Sequence, residues 1–249
     1  MLSPNNEARL IVDALYEDFG TGGHTRGEVP YIEGRTAITD MKNDNYSGWR
    51  EVEWTGYHIK YLIQKECEIK LSDRIKVYDS KKRHFVKGEY LWDARLNAND
   101  FNRVPLGDVE EYNNIVKQNK GIGILIFDAV ANYDINEDFR RWHEEQKGGS
   151  SDYSVEREIE GRSPRIRKTG YMIRKCLTYF LTFDDLQRGV VEGWMEDTFQ
   201  QTMRNANGSS RNSKYRLKLD QIPRRYLVVA KNFNEDPEEF EEEFPEFAE

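Results

Sequence analysis

Hydrophobic residues recur along the first third of this chain at helical intervals. In residues 4–19, apolar positions three and four apart predict an amphipathic helix. A second helix is predicted for residues 48–67, with Ser47 as its N-cap and with Trp49, Val52, Ile59 and Ile63 on one stripe. Each of these helices is therefore expected to bury one face against a core.

From residue 68 the pattern changes to short runs typical of β-strands. Strands are predicted for residues 68–71, 75–78 and 85–96, separated by polar turns, as in a hairpin or meander. A helix is predicted for 108–118. The segment 121–130 is nearly all apolar, as expected of a strand that is covered on both faces.

The second half of the chain continues this alternation. Helices are predicted for 136–146 and 184–203, strands for 172–183 and 226–230, and loops for 20–30 and 205–213. This order predicts an α/β fold with a mixed central sheet. We expect a single domain over residues 1–233 with its core at about 48–183, followed by an acidic tail over 234–249.

Charge is segregated along the chain. The net charge is −8, but nine of the 45 acidic residues lie after residue 231, where there is no base; the other 36 face 37 basic residues. The tail is predicted to be disordered, or alternatively to pack on a basic surface. Residues 161–175 hold six bases and no acid. Such a stripe on a near-neutral body favours binding to a phosphate backbone.

Other global features narrow the class of protein. The chain has no run of about 18 apolar residues, so no membrane span is expected. Its start lacks the pattern of a signal peptide, and two cysteines do not make a disulfide framework, so we expect a cytoplasmic setting. Four histidines and two scattered cysteines predict no zinc site.

Asp93 and Arg95 carry the most specific chemical signal. Being two apart on a predicted strand, they share a face and could address one phosphate or metal ion. Glu53, at the edge of the buried helical stripe, is a candidate partner for Mg²⁺ binding. A further acid is expected on the preceding strand; Asp79 is available, but Lys81-Lys82-Arg83 follow closely after it, which is more typical of a turn. The simpler alternatives are an ion pair of Asp93 with Arg95 or Lys87, and a surface role for Glu53.

Two further acids and bases are weaker candidates. Asp128 ends the predicted strand 121–130, but no base lies two positions on. His143 follows Trp142 on a predicted helix and is interpreted as structural.

Two segments are candidates for contacting DNA. In the first, paired glycines are expected to expose backbone N–H groups to phosphates; in the second, arginines can make forked contacts to phosphates or guanine edges. The alternative is a solvated basic loop. The candidate residues are Lys147, Gly148, Gly149, Ser150, Arg162, Arg165, Arg167 and Lys168, with the loop 205–214 as a second contact region.

Taken together, these segments resemble type II restriction endonucleases of the PD-(D/E)XK nuclease superfamily. That core runs from a helix with a Glu through a strand hairpin with an acid and (D/E)-x-K to a helix, a buried strand and a helix. Residues 49–57 resemble the first helix, with Glu53 as its acid, and Trp92-Asp93-Ala94-Arg95 resembles the (D/E)-x-K strand. Segments 139–143, 147–150 and 163–168 resemble a block shared by a subset of these enzymes. The resemblance covers about residues 49–175.

The resemblance implies a restriction-endonuclease-like mixed sheet flanked by helices and Mg²⁺-dependent, site-specific cleavage of double-stranded DNA. It implies Asp93, Arg95 and Glu53 as catalytic residues and Asp93, Glu53 and Asp79 as metal ligands. A homodimer and a cognate DNA methyltransferase acting on the same DNA site are also implied.

The chain departs from the family pattern at two positions. Arg95 replaces the usual Lys, and an Arg keeps its proton, so it can hold charge but cannot act as a base. Phe85-Val86 stands where an Asp is expected. Two alternatives therefore stay open: a non-catalytic DNA-binding protein on a degenerate nuclease fold, and an interaction protein that uses its acidic tail.

Overall fold

The computed structural model describes residues 2–21, 31–80, 83–98, 102–150, 152–163, 165–205, 208–233 and 244. The helices are α1 Pro4–Thr21, α2 Gly34–Asn43, α3 Trp54–Lys70, α4 Val109–Gln118, α5 Asp138–Lys147, α6 Asp152–Ile159 and α7 Phe183–Glu192. The strands are β1 Tyr31–Glu33, β2 Lys76–Ser80, β3 Arg83–Lys87, β4 Leu91–Asn97, β5 Arg103–Asp108, β6 Ile122–Tyr133, β7 Lys168–Leu181, β8 Met195–Phe199, β9 Lys214–Lys218 and β10 Leu227–Asn232.

The central sheet is mixed, and its strand order is β1-β7-β6-β4-β3-β2, with β10 also pairing β7. β4 and β6 are parallel, and α4 lies in the crossover between them; the other pairs in this sheet are antiparallel. A second sheet has the order β5-β9-β8. The protein is therefore a mixed α/β fold with helices flanking the sheet.

Strand β6 separates two hydrophobic cores. Leu125, Phe127 and Ala129 face the core that α1, α2 and α3 cover, whereas Ile124 and Ile126 face the core under α4, α7 and the small sheet. Alternate side chains of a strand point to opposite faces, so the continuous apolar run is explained by burial on both sides. The prediction for residues 121–130 is confirmed.

Buried Glu7 of α1 fixes the turn that leads into β4. Its carboxylate accepts hydrogen bonds from the backbone N–H groups of Glu89 and Tyr90, at 2.8 and 3.1 Å, and from Trp92 Nε1 at 2.6 Å. Three donors satisfy the buried charge. The start of β4, and with it Asp93, is thereby tied to the first helix.

Several predicted boundaries are wrong, and tertiary contacts explain why. The predicted helix 48–67 begins only at Trp54, because residues Ser47–Arg50 form a 3₁₀ turn. It runs on to Lys70 in place of the predicted strand 68–71, and the Lys70 ammonium bonds Ala14 O at 2.6 Å. The predicted helix 184–203 ends at Glu192, because Gly193 has the left-handed φ of 87° that caps a helix. The sequence pattern did not predict β1, α2, β5, α6, β8 or β9.

The predicted helices 4–19, 108–118 and 136–146 and the strands 75–78, 85–96, 172–183 and 226–230 are confirmed, with shifted ends and with 85–96 split into β3 and β4. The loop 20–30 and the acidic tail lie largely outside the described residues, so disorder of the tail stays a prediction. Phe244 of the tail is described, and it is buried in the second core. In the part of the chain that the structure covers, no helix has the length and apolar character needed to cross a membrane.

Candidate active site and basic cavity

A cleft opens where β3 and β4 part. Among the described residues, β3 pairs with β4 only at Val86–Trp92 and Lys87–Leu91. Beyond this point the β4 segment 94–97 lines a cleft of about 460 Å³, with α3 on one side and β5 on the other. The second half of β4, which carries the Asp-x-Arg pattern, therefore forms a wall of the cleft.

Asp93 lies behind this wall and is completely buried. Its Oδ1 accepts a hydrogen bond from Lys60 Nζ at 3.0 Å. Its Oδ2 accepts from Arg95 Nε and Nη2, at 2.9 and 2.5 Å, and from the Tyr112 hydroxyl at 3.4 Å. The prediction that Asp93 and Arg95 share a face is confirmed, and so is the simpler alternative that they form an ion pair.

Lys60 is the important residue that sequence reasoning missed. It reaches Asp93 from α3 and, together with Arg95, lines the cleft. Gly56 and Lys60 lie four apart on one face of α3, and Glu53, the residue before the helix, lies three before Gly56, so all three line the cleft. That spacing is visible in the sequence, but the contact between Lys60 and Asp93 forms only because α3 crosses β4.

The charges around Asp93 decide its protonation. Burial by itself would raise the pKa of the Asp93 carboxyl, but the cations of Arg95 and Lys60 outweigh it and hold the pKa below its ordinary value. Burial would also lower the pKa of Arg95, and Asp93 outweighs that effect and raises it. At neutral pH, Asp93 is thus a carboxylate between the cations of Lys60 and Arg95, and the three side chains together carry one net positive charge.

Two other acids line the cleft. Glu53 precedes the first turn of α3, its side chain is 67% exposed, and it pairs with Lys168 Nζ at 2.6 Å. Asp108 caps α4 by accepting the Glu111 N–H at 3.3 Å. Asp79 lies in β2, which β3 separates from β4; its side chain is outside the described set, so its assignment as a metal ligand stays a prediction.

The other weak candidates have structural surroundings. His143 is fully buried and its Nε2 lies 2.7 Å from Trp49 O; burial lowers its pKa to about 4. The interpretation of His143 as structural is confirmed. Asp128 is paired with Arg174 at 2.7 Å and does not line the cleft.

The first basic segment is built differently from the expectation. The N–H of Gly148 bonds Glu145 O at 3.0 Å, and that of Gly149 bonds Glu144 O at 2.9 Å. The expectation that these groups are open to phosphate is therefore wrong: the left-handed φ values of 90° and 131° serve to close the end of α5. The Ser150 hydroxyl donates to Glu144 Oε2 at 2.8 Å.

The second basic segment divides into buried and exposed residues. Arg167 is 4% exposed and its Nη2 bonds Glu144 Oε1 at 3.3 Å, whereas Arg162 and Arg165 are exposed. Lys147 is half-buried; desolvation and the nearby Arg167 lower its pKa to about 8. The structure thus brings Lys147, Ser150 and Arg167 together around Glu144, and Lys168 binds Glu53 at the cleft.

Comparisons of the chain with protein-family models, with curated proteins and with solved structures yield no match.

Proposed function

We propose that the protein is a Mg²⁺-dependent endonuclease that cuts double-stranded DNA at a specific sequence, in the manner of a type II restriction enzyme. The observation that carries the proposal is the Asp93 carboxylate held by Lys60 and Arg95 at the wall of an open cleft. The chain order also supports it: α3, the meander β2-β3-β4, the α4 crossover and the parallel buried strand β6 follow the order of the restriction-endonuclease-like core.

The cleft residues have separate tasks in this proposal. Arg95 and Lys60 hold the oxygens of the scissile phosphate and stabilise the charge that grows on them. Arg95 keeps its proton and does not act as a base. Lys60 supplies from the helix the ammonium that the strand lacks at position 95, and it orients the attacking water.

In this proposal, only two carboxylates of the protein would bind Mg²⁺. No group of three His, Cys, Asp or Glu side chains suited to a metal occurs within the described ranges. Mg²⁺ is commonly held by one or two carboxylates together with water and substrate phosphates. Asp93 and Glu53 would be those carboxylates, and each now faces a lysine ammonium, a cation in place of a metal. When bound, the ion would supply Lewis-acid activation of the phosphate.

The wider expectations follow from this function. A palindromic DNA site would be read by a homodimer, and a methyltransferase of the same specificity would protect the host DNA in the cytoplasm. Lys168 and the exposed Arg162 and Arg165 would contact the phosphate backbone.

The second candidate is a DNA-binding protein without catalysis. It is favoured by the complete burial of Asp93 and by the cations on both of its oxygens. Exposed bases would still bind the backbone in such a protein.

The test is cleavage of mixed plasmid and genomic DNA in Mg²⁺ and in EDTA. Discrete fragments in Mg²⁺ alone are expected, and they should vanish in Asp93→Asn and in Lys60→Gln. Asp128→Asn is the matched control, because it also removes a buried acid paired with an arginine. DNA binding without cleavage in any divalent metal would leave the second candidate, and no binding at low salt would exclude both.

A further inference from the structure

A second cavity, of about 190 Å³, lies between α5, α6 and the segment before β7. Its lining includes five arginines, at positions 140, 157, 162, 165 and 167, against three glutamates, at positions 137, 144 and 158. A water molecule needs only about 15 Å³ of such space. The cavity therefore has both room for a polyatomic group and an excess of positive charge.

Arg140 and Arg167 of this lining have hydrogen-bond donors that nothing in the described chain accepts. Nε and Nη1 of Arg167, which is 4% exposed, and Nε of Arg140 are buried without a hydrogen-bond partner. A buried donor on a charged group that lacks an acceptor destabilises the fold. An acceptor that enters the cavity would satisfy these three donors, and an anion would bind them most strongly because the donors are cationic.

The remaining contacts hold these arginines in place. Glu144 Oε1 accepts from Arg167 Nη2 at 3.3 Å, and Glu137 Oε2 accepts from Arg140 Nη2 at 2.6 Å. Each guanidinium thus binds a glutamate through Nη2, whereas Nε, and in Arg167 also Nη1, has no acceptor in the described chain. Burial lowers the pKa of Arg167 against the opposing effect of Glu144, and the neighbouring cations Arg140 and Arg165 add to the decrease.

We propose that this cavity is a phosphate-binding site in which Arg167 and Arg140 grip one phosphate group. The fork of a guanidinium matches two phosphate oxygens, and it does so more tightly than an ammonium. The phosphate belongs either to the DNA backbone, in which case the site extends the proposed function, or to a free phosphate or mononucleotide. The three available N–H groups distinguish this site from an exposed basic patch, whose cations are already hydrated.

Calorimetric titration of the whole protein with inorganic phosphate, in EDTA and chloride buffer without Mg²⁺, tests the site. One phosphate per chain is expected to bind. Arg140→Gln should weaken binding about tenfold or more, because a hydrogen bond to a charged group contributes about 1.5–3 kcal/mol. Arg141→Gln is the matched control: Arg141 pairs with Asp138 at the same spacing of three residues, is 63% exposed and does not line the cavity.

Arg167→Lys provides a second variant that keeps the buried charge but loses the fork, and thermal melts identify any variant that fails to fold. No phosphate binding to the wild-type protein, or equal weakening in Arg140→Gln and Arg141→Gln, would overturn the proposal.

A competing short DNA duplex separates the two sources. Displacement of phosphate by the duplex assigns the cavity to the DNA backbone. The number of ions released when the duplex binds, taken from its salt dependence, should then be lower by about one in Arg140→Gln. Displacement by a mononucleotide but not by the duplex overturns the assignment to the DNA backbone and assigns the cavity to a free phosphate or mononucleotide. Phosphate binding in EDTA reports on this cavity alone, whereas cleavage in Mg²⁺ requires the Asp93 cleft, so failure of one proposal is distinguishable from failure of the other.

Discussion

Neutralising Asp93 should be among the most costly single changes in this protein. In Asp93→Asn the side chain keeps its shape, but Lys60 and Arg95, which are only 15% and 24% exposed, lose their shared anion. Removing one partner of a buried ion pair costs about 3–5 kcal/mol, because a charge stays buried without compensation. Since both cations border the cleft and can turn toward water, we expect the lower end, about 3 kcal/mol.

Asp128→Asn gives the scale for this loss. Asp128 is buried as well, but its partner Arg174 is 44% exposed and can remain hydrated. Pairs with an exposed member contribute about 1 kcal/mol or less. The two variants should therefore differ by about 2 kcal/mol, from the difference between these two classes of pair.

Urea unfolding at neutral pH, followed by tryptophan fluorescence, measures both losses. Lys60→Met added to Asp93→Asn should recover part of the stability, because it removes a cation that has lost its partner; contacting residues typically couple by 0.5–3 kcal/mol. A loss for Asp93→Asn no larger than that for Asp128→Asn would refute the assignment of Asp93 as the anchor of both cations.

Acid titration examines the same group independently. The folded-state pKa of Asp93 lies below the unfolded value of about 3.9, so its contribution is complete above that pH and is lost as the pH falls through the folded value. The stability gap between wild type and Asp93→Asn should therefore be constant near neutrality and narrow below about pH 4. A gap that widens in acid would mean that the carboxyl is protonated in the native state.

Three further outcomes follow from the surroundings of particular residues. Burial lowers the pKa of His58 to about 3, so the stability that neutral His58 contributes is present above the unfolded value of about 6.5 and is lost as the pH falls toward 3. Replacing His58 with Asn should therefore reduce the slope of the unfolding free energy against pH in that window by up to about 1.4 kcal/mol per pH unit. Burial raises the thiol pKa values of Cys67 and Cys176 to about 12, so neither should react with a thiol reagent at mild pH until urea unfolds the chain, and rapid labelling of the native protein would contradict this. Gly123→Ala should destabilise by about 3 kcal/mol or more in thermal or urea melts, because a Cβ there would lie 1.9 Å from the ring of Trp92, and an unchanged midpoint would show that the ring can move.

The parts of the fold that the sequence predicted are those with strong local signals. Strand β6 begins with six consecutive apolar residues, and α4 has Asp108 as its N-cap and two acidic residues in its first turn. The helix predicted for residues 184–203 is wrong beyond Glu192, because Gly193 ends the helix. β9 was missed although Lys214–Lys218 alternates polar and apolar residues, because five residues between polar loops give a weak period.

The candidate site was predictable only as far as neighbours along the chain define it. Asp93 and Arg95 are two apart on one strand, so their contact follows from strand geometry. Lys60 belongs to the same group through a helix crossing 33 residues away in sequence. The Arg run gave no sign that Arg167 would be buried while Arg162 and Arg165 are exposed, because that difference comes from the contact with Glu144.

The cleft and the basic cavity are linked through the short segment that precedes α3. Val52 lines the cavity, and its neighbour Glu53 lines the cleft. Lys168 binds Glu53, and its neighbour Arg167 lines the cavity. A phosphate bound by Arg167 would lower the local positive potential. Glu53 would then bind a cation, whether Lys168 or a metal ion, more strongly. If the protein cleaves DNA as proposed, Arg140→Gln should therefore raise KM for substrate more than it lowers kcat. Lys60→Gln should lower kcat, since Lys60, unlike Arg140, lines the proposed catalytic cleft.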